Sequence, residues 1–232
     1  MTTQNSYQNI ASFYDSFQGS ARAKNYLKLI KKQAGLEHIK GLEVLEVACG
    51  TGEILKLLSD QNETFGIDIS PEMIKLARQK DKKSTYQIGD MRSFDLGKKF
   101  DLILCPYDSI NHLLSFSDWE KTFANIKNHL KDKGKFIFDY NTLKKFKEID
   151  GKEIKIEVDE GFVLISTKLK NNLCYWHIEK KLLNNLKSEK DQTAEVVESS
   201  FSKDEILTLL KKYYKNVATF QMESGRNLLI CE

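Results

Sequence analysis

Three acidic residues recur at equal intervals in the first half of the chain: Glu46, Asp68 and Asp90, each 22 positions from the next. All three stand at or just beyond the end of a short run of strand-forming residues. The first is followed at once by Ala48-Cys49-Gly50-Thr51-Gly52, small residues that let a main chain come close to a ligand. A carboxylate beside such a turn repels a pyrophosphate. It attracts an ammonium or a sulfonium by several kcal/mol at ~4 Å and intermediate dielectric, before desolvation is subtracted. A dinucleotide turn, G-x-G-x-x-G, needs a further glycine where the helix packs on the strand. Here Leu55 holds that place, behind Ile54. The loop therefore suits a zwitterionic, positively charged cofactor better than a phosphorylated one. Taken singly, Glu46 fits a helix-dipole partner, Asp68 a helix cap and Asp90 a turn. The three together, at successive strand ends, point to a binding edge.

The segment Glu46-Val-Ala-Cys-Gly-Thr-Gly52 resembles the first motif of class I S-adenosylmethionine-dependent methyltransferases, commonly D/E-x-G-x-G-x-G, with Ala48 in place of one glycine. That replacement costs little unless the position needs a positive φ. The resemblance implies that Asp68 accepts the ribose hydroxyls. It implies Asp90 at the adenine amino group, with Met91 packing on the ring. Ala48, Cys49, Gly50 and Gly52 would form the loop beneath the cofactor, and Ile69, Met73, Cys105 and Tyr107 would complete its surroundings. The stretch 100–114 resembles the fourth-strand region of small bacterial members, where a strand leads into a D-S-x-N-x-L-like turn. Ile10-Ala-Ser-Phe-Tyr14-Asp15 resembles their N-terminal aromatic-aspartate segment, which implies Tyr14 over the methyl region.

Methyl transfer from a sulfonium needs alignment and desolvation more than a dedicated nucleophile; orientation alone can supply roughly 7–11 kcal/mol. The acceptor-side candidates are Tyr14, Tyr107, Asp108, Asn111 and His112. Asp108 suits a cationic or amine acceptor, and His112 a general base. Equally, Asp108-Ser109 fits the start of a helical turn, and His112, before Leu113-Leu114, fits a packing role. His38, His129 and His177 have no motif around them and read as surface or strand residues. Amino-directed nucleic-acid methyltransferases carry [DNS]-P-P-[YF] after the fourth strand. This chain has Leu104-Cys-Pro-Tyr107, which favours a small-molecule acceptor over nucleic acid. The competing readings are a nicotinamide-dependent oxidoreductase and a module that binds S-adenosylmethionine, or a partner, without catalysis.

Only a parallel sheet brings the acids to one edge. Residues 43–47, 64–68, 85–89, 100–105 and 135–140 read as strands. Residues 21–34, ahead of the first strand, and 52–60, after it, read as helices, and others start at Ser70-Pro71 and at the box Ser117-Asp-Trp-Glu120. This alternation predicts a parallel sheet with helices on both faces. The pattern changes after residue 141. Residues 153–158, 162–168, 173–182 and 193–200 read as antiparallel strands, with a turn at 159–161 and a polar loop over 183–192. A second capping box, Ser202-Lys-Asp-Glu205, then opens a helix whose apolar face is Ile206, Leu207, Leu210 and Tyr214. Two strands, 217–222 and 227–231, close the chain around a turn at Ser224-Gly225. The expected fold is α/β and Rossmann-like, a doubly wound, mostly parallel seven-stranded sheet. Residues 1–140 and 200–232 form the expected core, and 141–199 an antiparallel β insertion covering the acceptor site.

Composition narrows the classes further. The chain has 232 residues, 41% hydrophobic and 30% charged, enough for one substantial core. Its 36 basic and 33 acidic residues nearly balance, which argues against a nucleic-acid or anionic-membrane partner. No apolar run is membrane-sized and the first 20 residues lack a signal-peptide core, so a cytoplasmic protein is expected. Cysteines 49, 105, 174 and 231 are too dispersed for a zinc site or redox pair, and no metal is expected. Oligomeric state leaves no mark in the sequence.

Overall fold

The computed structural model describes residues 7, 10–36, 39–159, 161–182 and 192–232. Seven strands build the main sheet: β1 (Glu43–Val47), β2 (Glu63–Asp68), β3 (Thr85–Ile88), β4 (Phe100–Cys105), β5 (Leu130–Asn141), β10 (Val217–Gln221) and β11 (Arg226–Cys231). Their spatial order is β10-β11-β5-β4-β1-β2-β3. The first five run parallel; β11 is antiparallel to β5 and β10 to β11. The order reverses between β1 and β4, so their carboxyl ends open a crevice at the switch point.

Strand residues alternate between two covered faces, as a sheet buried on both sides requires. Leu45, Val47, Ile103, Phe136 and Phe138 pack with Trp119, Phe123 and Ile126 of α5 (Phe116–Asn128) and with Ile206 of α7 (Lys203–Leu210). Val44, Leu102, Leu104 and Ile137 face α2 (Ser20–Ala34), α3 (Glu53–Leu58) and α4 (Pro71–Lys80). Start signals locate the helices well. Ser70 Oγ accepts from Met73 N at 3.3 Å with Pro71 at the first helical position. Ser202 and Glu205 form the expected reciprocal box. Tyr214 is buried, but in the turn beyond α7 and not on it.

Two boundaries differ from expectation. The cap of α5 is Ser115, whose Oγ accepts from Asp118 N at 3.2 Å; Ser117 lies within the first turn. The helix starts earlier because Phe116 packs edge-on against Phe201, ring centroids 4.9 Å apart. The fifth strand begins at Leu130, not at residue 135. Leu130 pairs with Phe100, but Lys135 pairs with Leu102, so the intervening residues bulge from the ladder. Gly134 permits this: a Cβ there would stand 2.9 Å from the Leu130 side chain and from the Phe100 carbonyl oxygen.

Two short helices were not foreseen, α1 (Tyr14–Gln18) and α6 (Leu143–Ile149). Beyond α6 comes a separate antiparallel sheet of β6 (Glu153–Val158), β7 (Gly161–Lys170), β8 (Leu173–Leu182) and β9 (Gln192–Ser199), in that order. Asn171 and Asn172, both at positive φ, make the two-residue turn between β7 and β8. Val163, Ile178, Ala194 and Val196 of this sheet pack on Ile10, Phe13 and Phe17, so the N-terminal segment joins the insertion to the core. Residues 183–191, expected as loop, lie outside the described residues, as do His38 and Glu160. Among the described residues no helix is long and apolar enough to cross a membrane. All four cysteines are buried and unpaired.

Candidate active site

The carboxyl ends of β1 to β4 surround a cleft of about 570 Å³. Glu46, near the end of β1, is only 3% exposed, and its Oε2 meets no hydrogen-bond partner. Burial, reinforced by the Asp68 charge, pushes its carboxyl well above the ordinary range. A small cavity of about 40 Å³ above it is bounded by Ala48, Cys49, Gly50, Thr51 and Tyr107. An unpartnered carboxyl oxygen in such a place is costly, and a cation bound beside it would favour the ionised form again.

Asp68 accepts from Gly50 N and from Ser70 N, both at 2.8 Å, and lines the large cleft. It thus fastens the glycine loop to the end of β2, while Ser70 does the capping of α4. Burial raises its carboxyl, and these backbone donors oppose the rise. Asp90 is held by Arg92, whose Nε stands 3.0 Å from both carboxylate oxygens and whose Nη2 stands 2.5 Å from Oδ2. That pairing draws Asp90 below the usual carboxylate range. Arg92 also reaches Asp118 at 3.4 Å. Nothing in the sequence marked Arg92 beyond its adjacency to Asp90.

The loop holds Ala48 at φ 55°, Gly50 at 53° and Gly52 at 77°. Ala48 is therefore not a neutral replacement. Its Cβ occupies left-handed backbone, where a side chain costs about 1 kcal/mol. Gly50 is the glycine that opens the loop to the cleft, with Tyr14 the one residue near its absent Cβ. Gly52 faces inward instead: a Cβ there would lie 2.5 Å from the Tyr86 hydroxyl. Cys49 Sγ lies against Gly66, facing Glu46's small cavity. Ile69, Met73 and Met91 line the large cleft. Cys105 does not; it is fully buried in the main core, because the strand's inward alternation reaches it before the chain turns out.

A second cavity of about 300 Å³ adjoins the first and is walled by the insertion sheet through Ile154, Ile156, Ile165, Trp176, Ile178 and Val196. Four residues line both cavities: Tyr7, Tyr14, Tyr107 and His112. Tyr7 hydroxyl and His112 Nε2 are 2.8 Å apart. Burial lowers the His112 pKa to about 4, so the imidazole is neutral near pH 7. Burial raises the phenols of Tyr7, Tyr14 and Tyr107, keeping them as neutral hydrogen-bonding groups.

Tyr107 and Asp108 both adopt positive φ, 58° and 54°. Two successive side chains in left-handed backbone need support. Asp139, fully buried at the end of β5, accepts from Tyr107 N at 2.7 Å and Asp108 N at 3.2 Å. Arg226 Nη1 lies 2.8 Å from both Asp108 and Asp139. Asn141 Nδ2 donates to Asp108 at 2.6 Å and to Glu198 at 2.9 Å. Asp108 and His112 line the second cavity. Asn111 does not: it is fully buried, clasping the Asn141 and Ser199 carbonyls. Tyr7, Asp139, Glu198 and Arg226 went unmarked; an acid at the end of the fifth strand-like run was the one available signal.

Residues 44–134 match the model of a family described as a methyltransferase domain. The YqeM protein of Bacillus subtilis (strain 168) is 35% identical over 148 residues, covering 62% of this chain and 58% of that protein. The dTDP-3-amino-3,6-dideoxy-alpha-D-glucopyranose N,N-dimethyltransferase of Streptomyces fradiae is 30% identical over 134 residues, 56% of this chain and 52% of that protein. The chain thus spans just over half the length of these relatives. In fold it is similar to an S-adenosylmethionine-dependent methyltransferase from Clostridium acetobutylicum ATCC 824, with TM-score 0.80, 24% identity, and 97% of this chain and 98% of that chain covered.

Proposed function

Because the chain belongs to the class I, Rossmann-like S-adenosylmethionine-dependent methyltransferases, we propose that it transfers a methyl group to a nitrogen or oxygen of a small-molecule acceptor. The observation that carries the cofactor assignment is the Glu46 carboxylate, buried, without a partner at Oε2, beside a loop that is open at Gly50. Its charge suits an ammonium and a sulfonium and opposes a phosphate. In this reading Asp68, facing the large cleft, takes the ribose hydroxyls. Asp90 and Met91 take the adenine, with Arg92 fixing the Asp90 carboxylate, and Ile69 and Met73 pack alongside.

When bound, S-adenosylmethionine supplies an activated methyl on a positively charged sulfur, with a neutral thioether as leaving group. The chain's own residues supply alignment and dryness. Tyr14 and Tyr107 border all three cavities and so form the collar between donor and acceptor. Tyr7 and His112 complete it. A neutral His112 accepts a proton weakly at its lowered pKa, so orientation of the acceptor through the Tyr7–His112 contact matters more than strong base catalysis. The insertion sheet shapes the acceptor chamber and keeps water out of it.

The Streptomyces fradiae relative's name specifies a dTDP-linked amino sugar as acceptor, which supports a small molecule here too. The test is incubation with methyl-labelled S-adenosylmethionine and, separately, a metabolite extract, bulk RNA and an unfolded protein mixture. Label is expected in the metabolite fraction. Label confined to RNA or protein would overturn the small-molecule assignment.

A further inference from the structure

Glu198 lies on β9, in the insertion sheet, yet it meets a turn of the core. It is 4% exposed and lines the second cavity together with Asp108. One amide group, Asn141 Nδ2, donates to both carboxyls. Arg226 serves Asp108 and Asp139, but no described cation lies within ion-pair distance of Glu198. Asp108 and Asp139 meet the Arg226 guanidinium directly and Glu198 does not; Arg22, Lys145 and Lys152 also line the cavity, and the Arg22 charge eases Asp108. With all three ionised the cluster would carry two surplus negative charges away from water, which is prohibitive without a counter-ion. Burial and the Asp108 charge push the Glu198 carboxyl well up, which favours its protonated form. Trp176, on the cavity wall, presents its indole N–H to the Glu198 carboxyl and opposes that rise. Tyr7, at the collar, feels the Glu198 and Asp108 charges directly.

We propose that Glu198 and Asp108 form a proton-sharing carboxyl pair that recognises a cationic amine and then takes up its proton, so that nitrogen, not oxygen, receives the methyl group. This rests on the methyl-transfer reading above. A bound ammonium replaces the shared proton one for one, which settles the surplus charge. An alcohol offers no such exchange, and a carboxylate beside Asp108 and Glu198 adds to their negative charge. In the reaction one ammonium proton passes to the Glu198 carboxylate and frees the nitrogen lone pair. That pair forms the new N–C bond as the C–S bond breaks, its electrons remaining on sulfur. The N-methylammonium product then faces a protonated pair and is released. Arg226 is the fixed counter-ion of Asp108 and opposes the burial that pushes this carboxyl up.

The experiment uses benzylamine, benzyl alcohol and benzoate as matched probes with methyl-labelled S-adenosylmethionine, on wild type and Glu198→Gln. Wild type is expected to label benzylamine alone, and the variant's kcat/KM to fall roughly 100-fold. A second readout needs no turnover. Titrating benzylamine into the S-adenosylhomocysteine complex, in buffers of different ionisation enthalpy, should show a proton released by wild type and none by the variant. Unchanged S-adenosylhomocysteine affinity and melting temperature show that the variant is folded. Labelling of the alcohol or the carboxylate, no labelling of benzylamine, no proton release by wild type, or wild-type turnover in the variant would each overturn the proposal. The wild-type arms decide the case even if the variant proves unstable. Failure of wild type to bind S-adenosylhomocysteine is a separate result that removes the methyl-transfer reading itself.

Discussion

At the scale of single residues, the site concentrates backbone and electrostatic cost. Ala48, Tyr107 and Asp108 all occupy left-handed backbone without being glycine. Tyr107 and Asp108 are held there by Asp139 and Arg226. Ala48 has no comparable clasp, so Ala48→Gly is expected to stabilise the protein by about 1 kcal/mol in chemical denaturation. Loss of stability would mean that the alanine methyl packs usefully enough to outweigh its conformation. The acids at 46, 68 and 90 were legible from their spacing because a βα repeat sets each interval. Arg226 was not legible. It reaches Asp108 across 118 positions, and such pairing follows from the fold and not from any local pattern. The same holds for Glu198 and Tyr7, whose neighbours in space come from distant strands.

At the scale of elements, periodicity located the strands and most helices, and side-chain hydrogen bonds fixed the ends. The start of α5 separates two adjacent serines by role. Ser115→Ala should cost about 1 kcal/mol, while Ser117→Ala should be nearly neutral. Equal costs in thermal unfolding would contradict the cap assignment. The fifth strand was read short because Lys133-Gly134 looks like a turn; in the fold the same residues bulge within one ladder. The short helices α1 and α6 carry too few turns to show a period. Each nonetheless matters: α1 brings Tyr14 to the collar, and α6 places Lys145 and Ile149 at the second cavity.

At the scale of the molecule, two sheets divide the work. The parallel sheet presents its acids along one edge, Asp68 and Asp90 at the large cleft and Glu46 at the small cavity beside it. The antiparallel sheet, joined through Ile10, Phe13 and Phe17, closes the adjoining chamber. The tyrosine and histidine collar lies where the two meet, a place no segment of sequence encodes alone. If the buried, unpartnered Glu46 carboxyl awaits a cation, cofactor affinity depends on its charge. The most direct measurement is calorimetric titration of S-adenosylhomocysteine and of NAD into wild type and Glu46→Gln. S-adenosylhomocysteine should bind wild type and bind the variant at least about tenfold more weakly, a loss of about 1.4 kcal/mol or more, with NAD binding neither. Equal affinity of the two proteins for S-adenosylhomocysteine, or binding of NAD in its place, would contradict the claim.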